Sequence, residues 1–389
     1  MSEEVTVDVH ALAAGGDGVA RDSNGRVTFV PLAAPGDRVR VRLVKQTKSF
    51  ARGELVEIVT PSAERVVPPC VHFTEGCGGC QWQHVAMPSQ VTAKQAIVTA
   101  ALRRVITTIE PIVTPAPPLG WRRRARFHVE DGKLGLYHRG TNKILPLAHC
   151  PQLEPPLEAV LELLVEMTRT TPIPEGEVAM LLGHRGEIVV GIERPWKAAP
   201  TLIGQRGIVG VIAEESRFSR TVIEVEPGLT GSVWDFAQAS ADGNTALISI
   251  VRAALGKGPG TLLELYAGAG NLTRGFTVDG WSVIPTDRVE PRKPPPNFIA
   301  GNVERVVRTF PNPFDAIVLD PPRQGAAEAI DSIIRLAPKK IVYVSCDPAT
   351  LARDAEKLIA AGYTADGAWP LDLMPQTSHV EVVLRLVKA

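Results

Sequence analysis

The chain has 389 residues, 44% of them hydrophobic, and its 42 basic residues balance 42 acidic ones. That length supports two or three cores, and the neutral balance counts against a nucleic-acid binder that works through overall charge. Neither an 18-residue apolar run nor an apolar stretch behind a basic start occurs, so membrane spanning and secretion lack support and a multidomain cytoplasmic protein is expected.

In chain order, residues 1–60 read as short strands, Val5–Val9, Arg26–Val30, Asp37–Val44 and Ala51–Ile58. Turn residues at Gly15-Gly16, Ser23-Asn24-Gly25 and Ala34-Pro35-Gly36-Asp37 separate them, which predicts a small β-barrel. Within it, period-2 alternation puts Arg38, Arg40 and Arg42 on one face, with Lys45, Lys48 and Arg52 close by. Two readings stand here, a solvated strand face and an RNA-facing patch.

Residues 61–230 are expected to form a central unit. Cys70, Cys77 and Cys80 open it in C-V-H-F-T-E-G-C-G-G-C, Ser89–Val105 reads as an amphipathic helix, and Pro111–Pro118 reads as a linker. Trp121-Arg122-Arg123-Arg124-Ala125-Arg126-Phe127 then begins a β-rich region that runs to about Val225. Its four arginines among aromatics suit phosphate contact and base stacking, and suit a salt-bridged sheet face equally well. Cys150, in A-H-C-P, completes a group of four thiols. In a reducing compartment free thiols read as ligands or nucleophiles before disulfides. Four of them are the complement of an iron–sulfur cluster or of a structural zinc.

From residue 231 to 389 strands alternate with helices: Thr261–Tyr266, Trp281–Pro285, Ala316–Leu319 and Ile341–Ser345 are strand-like, which predicts an open, largely parallel α/β sheet. Ligands of such sheets bind beyond the carboxyl ends of the strands. At the first end stands E-L-Y-A-G-A-G-N, Glu264–Asn271, a glycine turn that lets a nucleotide-like ligand approach the backbone. Asp287 ends the next strand, placed for ribose hydroxyls, and Asn302 stands where it could contact adenine or simply form a turn. The form of the turn favours S-adenosylmethionine over a dinucleotide. Asp320-Pro321-Pro322-Arg323 ends a further strand with an acid held by two prolines, either a rigid pocket rim or a structural turn. Its likeness to the D/N-P-P-Y/F signature of amino methyltransferases is broken by Arg323.

The fifth cysteine, Cys346, follows the strand Ile341–Ser345 and precedes a helix from about Ala349, where a helix start favours the thiolate. Taken singly it could be a small buried residue. His379-Val380-Glu381 sets a carboxylate ahead of the apolar strand Val382–Leu386, in reach of base chemistry if it enters the same pocket. A thiol, a carboxylate and a sulfonium methyl donor together suggest methylation of uracil. Carbon 5 of uracil becomes nucleophilic once a thiolate adds at carbon 6, and a base must later remove the carbon 5 proton. The base has to leave its stack to be attacked, so the substrate is a looped, single-stranded or flipped nucleotide.

These residues resemble the S-adenosylmethionine-dependent RNA uracil-5 methyltransferases of 23S ribosomal RNA and tRNA. The resemblance runs from F-V-P-L-A-A-P-G-D-R-V at Phe29–Val39 to the terminal H-V-E, and is most specific in C-x6-C-G-G-C-Q-W-Q-H, L-D-P-P-R and V-S-C-D-P-A-T-L-A-R-D. It implies a TRAM β-barrel that binds RNA over 1–60, a central iron–sulfur and RNA-binding domain over 61–230 whose helix 89–105 packs on the catalytic domain, and a Rossmann-like methyltransferase domain over 231–389. By the resemblance Cys346 is the nucleophile and Glu381 the base. Gln238, Tyr266, Asn271, Asp287, Asn302 and Asp320 align with cofactor-pocket positions, and Cys70, Cys77, Cys80 and Cys150 with the ligands of a [4Fe-4S] cluster. The implied partner is RNA, 23S rRNA first and tRNA second, with no membrane and no protein partner. Three positions depart from the family pattern: Ser240 and Asp347 each stand where Asn is usual, and Asp287 is one methylene shorter than the usual Glu. A non-catalytic RNA-binding or assembly factor is the alternative from another class.

Overall fold

The computed structural model describes residues 3–311 and 313–388. At the amino end β1 (Glu4–Leu12), β2 (Gly18–Arg21), β3 (Val27–Val30), β4 (Arg38–Gln46) and β5 (Phe50–Thr60) close into a barrel. Alternation fills its interior with Val7, Val9, Val39 and Val41. The outward arginines meet carboxylates of neighbouring strands: Arg40 pairs with Glu57 at 2.7 Å, Arg42 with Glu4 at 3.1 Å, and Arg38 with Asp8 at 4.0 Å. The face is solvated and ion-paired, and its arginines stay accessible. β2 had no signal of its own in the sequence, since four residues between two glycine-bearing turns show too little alternation to read.

A cysteine-bearing segment follows, with one turn of helix, α1 (Val71–Thr74), and then α2 (Met87–Leu102). α2 is not the simple amphipathic helix its sequence suggests. Its buried stripe is Gln90, Lys94, Val98 and Leu102, four residues apart, and half of it is polar. Val98, Leu102 and Val105 belong to the core of the carboxyl-terminal sheet. The segment expected as a linker is not free. Val113 bridges Leu371, and Glu110 and Val113 donate backbone hydrogen bonds to Ala368 and Pro370, so the segment covers an exposed sheet edge.

The middle of the chain forms β6 (Arg124–Glu130), β7 (Lys133–Tyr137), β8 (Ile144–Pro146), helix α3 (Pro155–Thr170), β9 (Gly176–Leu182), β10 (Ile188–Ile192), β11 (Ile208–Ala213) and β12 (Ser216–Ser219). They make one seven-stranded sheet in the order β12-β11-β10-β9-β6-β7-β8. α3 buries Leu157, Val160, Leu161 and Leu164 against Phe127, Met180 and Val190 on one face. A β-rich reading of this region passed over α3, although L-x2-V-L-x2-L carries its period. The hairpin β13 (Ile223–Glu226) and β14 (Leu229–Gly231) leads out of this unit.

The last unit opens with α4 (Ala241–Leu255), β15 (Gly260–Leu265), α5 (Thr273–Val278), β16 (Trp281–Asp287) and β17 (Ile299–Ala300). It continues with α6 (Val303–Thr309), β18 (Ala316–Leu319), α7 (Ile330–Leu336), β19 (Lys340–Ser345), α8 (Pro348–Ala360), β20 (Tyr363–Leu371) and β21 (Glu381–Lys388). The sheet order is β17-β16-β15-β18-β19-β21-β20; the first five strands are parallel, and β21 alone runs against them, paired antiparallel with β19 and β20 on either side. Apolar cores lie on both faces, as a parallel sheet requires. Among the described residues no helix is long and apolar enough to cross a membrane.

Candidate active site

The carboxyl ends of β15, β18 and β19 converge on one rim, and β21 enters it from the opposite direction. Antiparallel pairing sets Ser345 opposite Val382, so one step further along the two strands places Cys346 beside Glu381. Glu381 is the strongest charged influence on the thiol, followed by Arg323 and Asp320. Burial, reinforced by Glu381, pushes the Cys346 thiol up to about 11. Desolvation here works against the thiolate that a helix start favours. Burial together with Asp320 raises the Glu381 carboxyl well above its usual range, and burial raises Asp320 to about 7. Both acids thus hold a proton more tightly than an ordinary carboxyl and are stronger bases once ionised. Arg323 faces the thiol and the acid, and its Nη2 donates to His379, 3.0 Å from Nε2. Burial and Arg323 hold the imidazole down to about 4, leaving it neutral and able to accept.

Next to Asp320 a cavity is lined by Gln238, Tyr266, Asn271 and Asp320, four of the six positions expected at the cofactor. Asp287 and Asn302 do not line it. The Asp287 carboxylate instead accepts from the Gly268 N–H at 2.7 Å, holding the glycine turn that forms the cavity wall. The Asn302 side chain caps α6 by accepting from the Arg305 N–H at 2.9 Å. Tyr266 has φ +62°, a left-handed backbone uncommon for an aromatic residue, and its hydroxyl donates to Glu304 at 2.8 Å.

Several cavity residues were not foreseen. Glu264 lies wholly buried under the glycine turn, accepts from Thr273 Oγ1 at 2.6 Å, and is raised by burial to about 8. Its signal was an acid inside the apolar strand L-L-E-L. Asn244 and Asn271 exchange amide hydrogen bonds of 3.1 and 2.7 Å, and Asn244 also donates to Glu226. Glu226 forms a buried ion pair with Arg123, which donates as well to Val225 O and Gln238 O. Arg123 therefore braces the cavity instead of meeting solvent. The departures at Ser240 and Asp347 are both helix caps: Ser240 accepts from the Gly243 N–H, and Asp347 from the N–H groups of Ala349 and Thr350. Ser and Asp cap as well as Asn does, so neither change disturbs the helix starts that frame the site.

About the cysteine segment, Cys70, Cys77, Cys80 and Cys150 line a second cavity with His72, His149, Trp121, Arg122 and Gln152. Gly78 packs so closely on the β7–β8 turn that a Cβ would stand 2.9 Å from Tyr137 O, which explains the small residues between Cys77 and Cys80. Burial raises the Cys77 thiol, Cys80 to about 11 and Cys150 to about 12. Gln152 Nε2 and Oε1 and Trp121 Nε1 are buried there without hydrogen-bond partners. Among the described residues, no three of His, Cys, Asp or Glu converge as a single-ion site.

Residues 2–56 match the TRAM domain, and residues 307–389 match the family described as tRNA (Uracil-5-)-methyltransferase. The 23S rRNA (uracil(1939)-C(5))-methyltransferase RlmD of Pectobacterium atrosepticum is 33% identical over 98% of this chain and 93% of its own length. The RlmD of a Marinomonas species is 31% identical over 98% and 94%. The chain belongs to the RNA uracil-5 methyltransferase family. Among solved structures, the tRNA (uracil-54, C5)-methyltransferase of Pyrococcus abyssi, in complex with S-adenosyl-L-homocysteine, superposes with a TM-score of 0.78 at 23% identity, over 98% of this chain and 99% of that one. The last unit of this methyltransferase accordingly has the class I S-adenosylmethionine-dependent fold, and its amino-terminal barrel is a TRAM domain.

Proposed function

We propose that this enzyme transfers a methyl group from S-adenosylmethionine to carbon 5 of a uridine in structured RNA, with 23S rRNA the substrate and tRNA the second reading. The placement of Cys346 beside Glu381, next to the Asp320 cavity, carries this proposal. Gln238, Tyr266, Asn271 and Asp320 would hold the methyl donor, with Asp287 and Asn302 acting from behind through the glycine turn and the α6 cap. When bound, S-adenosylmethionine supplies an electrophilic methyl on a sulfonium. Cys346, its Sγ proton released to solvent, adds as the thiolate to carbon 6 of the uracil, so that carbon 5 gains the electron density it needs to be alkylated. Glu381 then takes the carbon 5 proton, the ring is restored, and the carbon 6 to sulfur bond breaks to release Cys346. Arg323, oriented by His379, offers positive charge to the enolate oxygen that forms with the adduct.

The domain division follows the chemistry: 1–60 and 61–230 hold the RNA, 231–389 performs the transfer, and α2 ties the middle to the last unit. A cytoplasmic location suits an RNA substrate and reduced thiols. For the cysteine cavity we infer a [4Fe-4S] cluster held by Cys70, Cys77, Cys80 and Cys150. The donor set is all thiol, and the unpartnered Gln152 amide and half-buried Arg122 suit a group with sulfur acceptors and negative charge. A cluster there would order the segment; methyl transfer takes no step through it. Iron and sulfide analysis of anaerobically purified protein tests this, with colourless zinc-loaded protein as the contrary result.

Two variants test the catalytic roles. Cys346→Ala abolishes methyl incorporation and adduct formation, and Glu381→Gln accumulates a denaturation-resistant RNA adduct. Methylation by the first variant, or normal turnover without adduct by the second, rejects the corresponding role. Restoration of cellular function by an inactive Cys346→Ala protein would favour the assembly-factor reading.

A further inference from the structure

We propose that the outer face of the central sheet at β6 and β7 is a track for the single-stranded RNA next to the target uridine, with Arg124 and Arg126 on its phosphates and Tyr137, backed by His128, under one of its bases. The proposal rests on the RNA uracil-5 methyltransferase reading and adds where the flanking strand lies.

Alternation on β6 sends Ala125, Phe127 and Val129 into the core beneath α3 and leaves Arg124, Arg126 and His128 on the opposite face. On β7 the same face carries Gly135, opposite His128, and Tyr137, whose ring stacks on His128 with centroids 4.3 Å apart at 29°. Tyr137 is 40% exposed. The part of this face over β9 to β11 is closed by Val225, Val233 and Trp234, which leaves the β6–β7 half open. The open half is continuous with the cofactor cavity. Phe236, 72% exposed, lines that cavity and lies 5.9 Å beneath the Arg124 guanidinium, and Trp234 lies 5.5 Å beneath Arg126.

From Arg124 to His128 is about 13 Å along the strand, long enough to run from the mouth of the cavity beneath the neighbouring nucleotides. Guanidinium groups laid over aromatic rings, ending in a stacked tyrosine, form the cationic and aromatic surface that single-stranded nucleic acid takes up. Arg124 Nε is buried without a hydrogen-bond partner. The carboxylates on this face do not cancel the charge. Asp235 is engaged by Arg292 and the Ser232 N–H, Glu177 meets Arg126 at 3.3 Å in an exposed pair that a phosphate can displace, and Glu130 lies at the far end across from Lys133.

The test uses the full-length enzyme and the variants Arg126→Gln and Tyr137→Ala, with Arg126→Lys and Tyr137→Phe as conservative partners. Tyr137→Ala raises KM for RNA roughly tenfold with kcat and the KM for S-adenosylmethionine unchanged, as loss of one base stack implies, and Tyr137→Phe restores it. Arg126→Gln flattens the dependence of log Kd on log salt by about 0.7 for a fluorescein-labelled single-stranded oligouridine, and Arg126→Lys restores the slope. Wild-type values of KM and salt slope in both variants would overturn the track, as would equal weakening on fully double-stranded RNA. Because the oligouridine titration needs no turnover, it reads the track even if the wild-type protein methylates no RNA, an outcome that would reject the methyltransferase reading alone.

Discussion

Lys94→Met strikes the contact that ties the middle of the chain to the loop in front of Glu381. The Lys94 ammonium is wholly buried, donates to Asp372 Oδ1 at 2.5 Å and to Met374 O at 3.1 Å, and lies 5.8 Å from the Trp82 ring. Methionine fills nearly the same volume, so the cavity term is small and the loss is electrostatic. Asp372 is left buried, with Oδ2 already unpartnered and Oδ1 served only by the Met374 N–H at 3.1 Å. Removing one partner of a buried pair costs about 3–5 kcal/mol, which for a unit of this size lowers Tm by roughly 6–20 °C. Burial depresses the Lys94 ammonium below its ordinary value, so the pair contributes less than its length suggests, and removing both charges should be mild. Lys94→Met with Asp372→Asn is thus expected to recover most of the loss. Calorimetric unfolding reads the stability, and kcat reads the loop, since Gln376 in that loop accepts from Gln81 and Trp82 N–H groups and joins Gln90. A single variant within about 1 kcal/mol of wild type, or a double variant no better than the single, would show that the pair is not the anchor.

Other consequences follow from the same geometry. Activity should rise with pH through the neutral and alkaline range, because the raised Glu381 carboxyl must be ionised to act as a base and the thiol, held up to about 11, must give up its proton; a flat kcat/KM profile over that range would contradict the assignment. Glu264 keeps a proton in the folded state up to about 8 that the unfolded chain loses from about 4.5. Its contribution is therefore full below the lower value and declines as pH rises, by about 1.4 kcal/mol per unit; Glu264→Gln should flatten the fall of the denaturation midpoint between these limits. Asp347→Ala removes the cap of α8 and should cost about 1 kcal/mol, whereas Asp347→Asn should leave Tm unchanged. Asp287→Ala frees the Gly268 N–H and should weaken S-adenosylhomocysteine binding in calorimetric titration while leaving the fold intact.

Much of the catalytic end was legible in one dimension because its chemistry is local. A strand, a turn and a helix bring their own residues to a sheet rim, so L-D-P-P-R, V-S-C-D-P and E-L-Y-A-G-A-G mark the ends of β18, β19 and β15 without knowledge of the rest. Alternation likewise announced the barrel and the outward arginines, but what those arginines meet depended on partner strands. Glu4, Glu54 and Glu57 become their neighbours only when β4 lies between β1 and β5.

The tertiary structure alone decided which residues act through others. Arg123 reads as one of four equivalent arginines, yet the turn from β14 toward α4 folds over it and makes it a brace for Glu226 and Gln238. Asp287 and Asn302 read as ligand contacts, and the fold also engages each with backbone N–H groups, Asp287 with those of Gly268 and Arg288 and Asn302 with that of Arg305. Lys94 and Asp372 are 278 residues apart, beyond any local pattern, and the polar stripe of α2 makes sense only against that partner. Sequence patterns carry the faces of strands and helices because side-chain direction repeats with the backbone. Partner identity, burial and the resulting proton affinities of Cys346, Glu381 and Asp320 come from distant segments meeting, and so exist only in the folded chain.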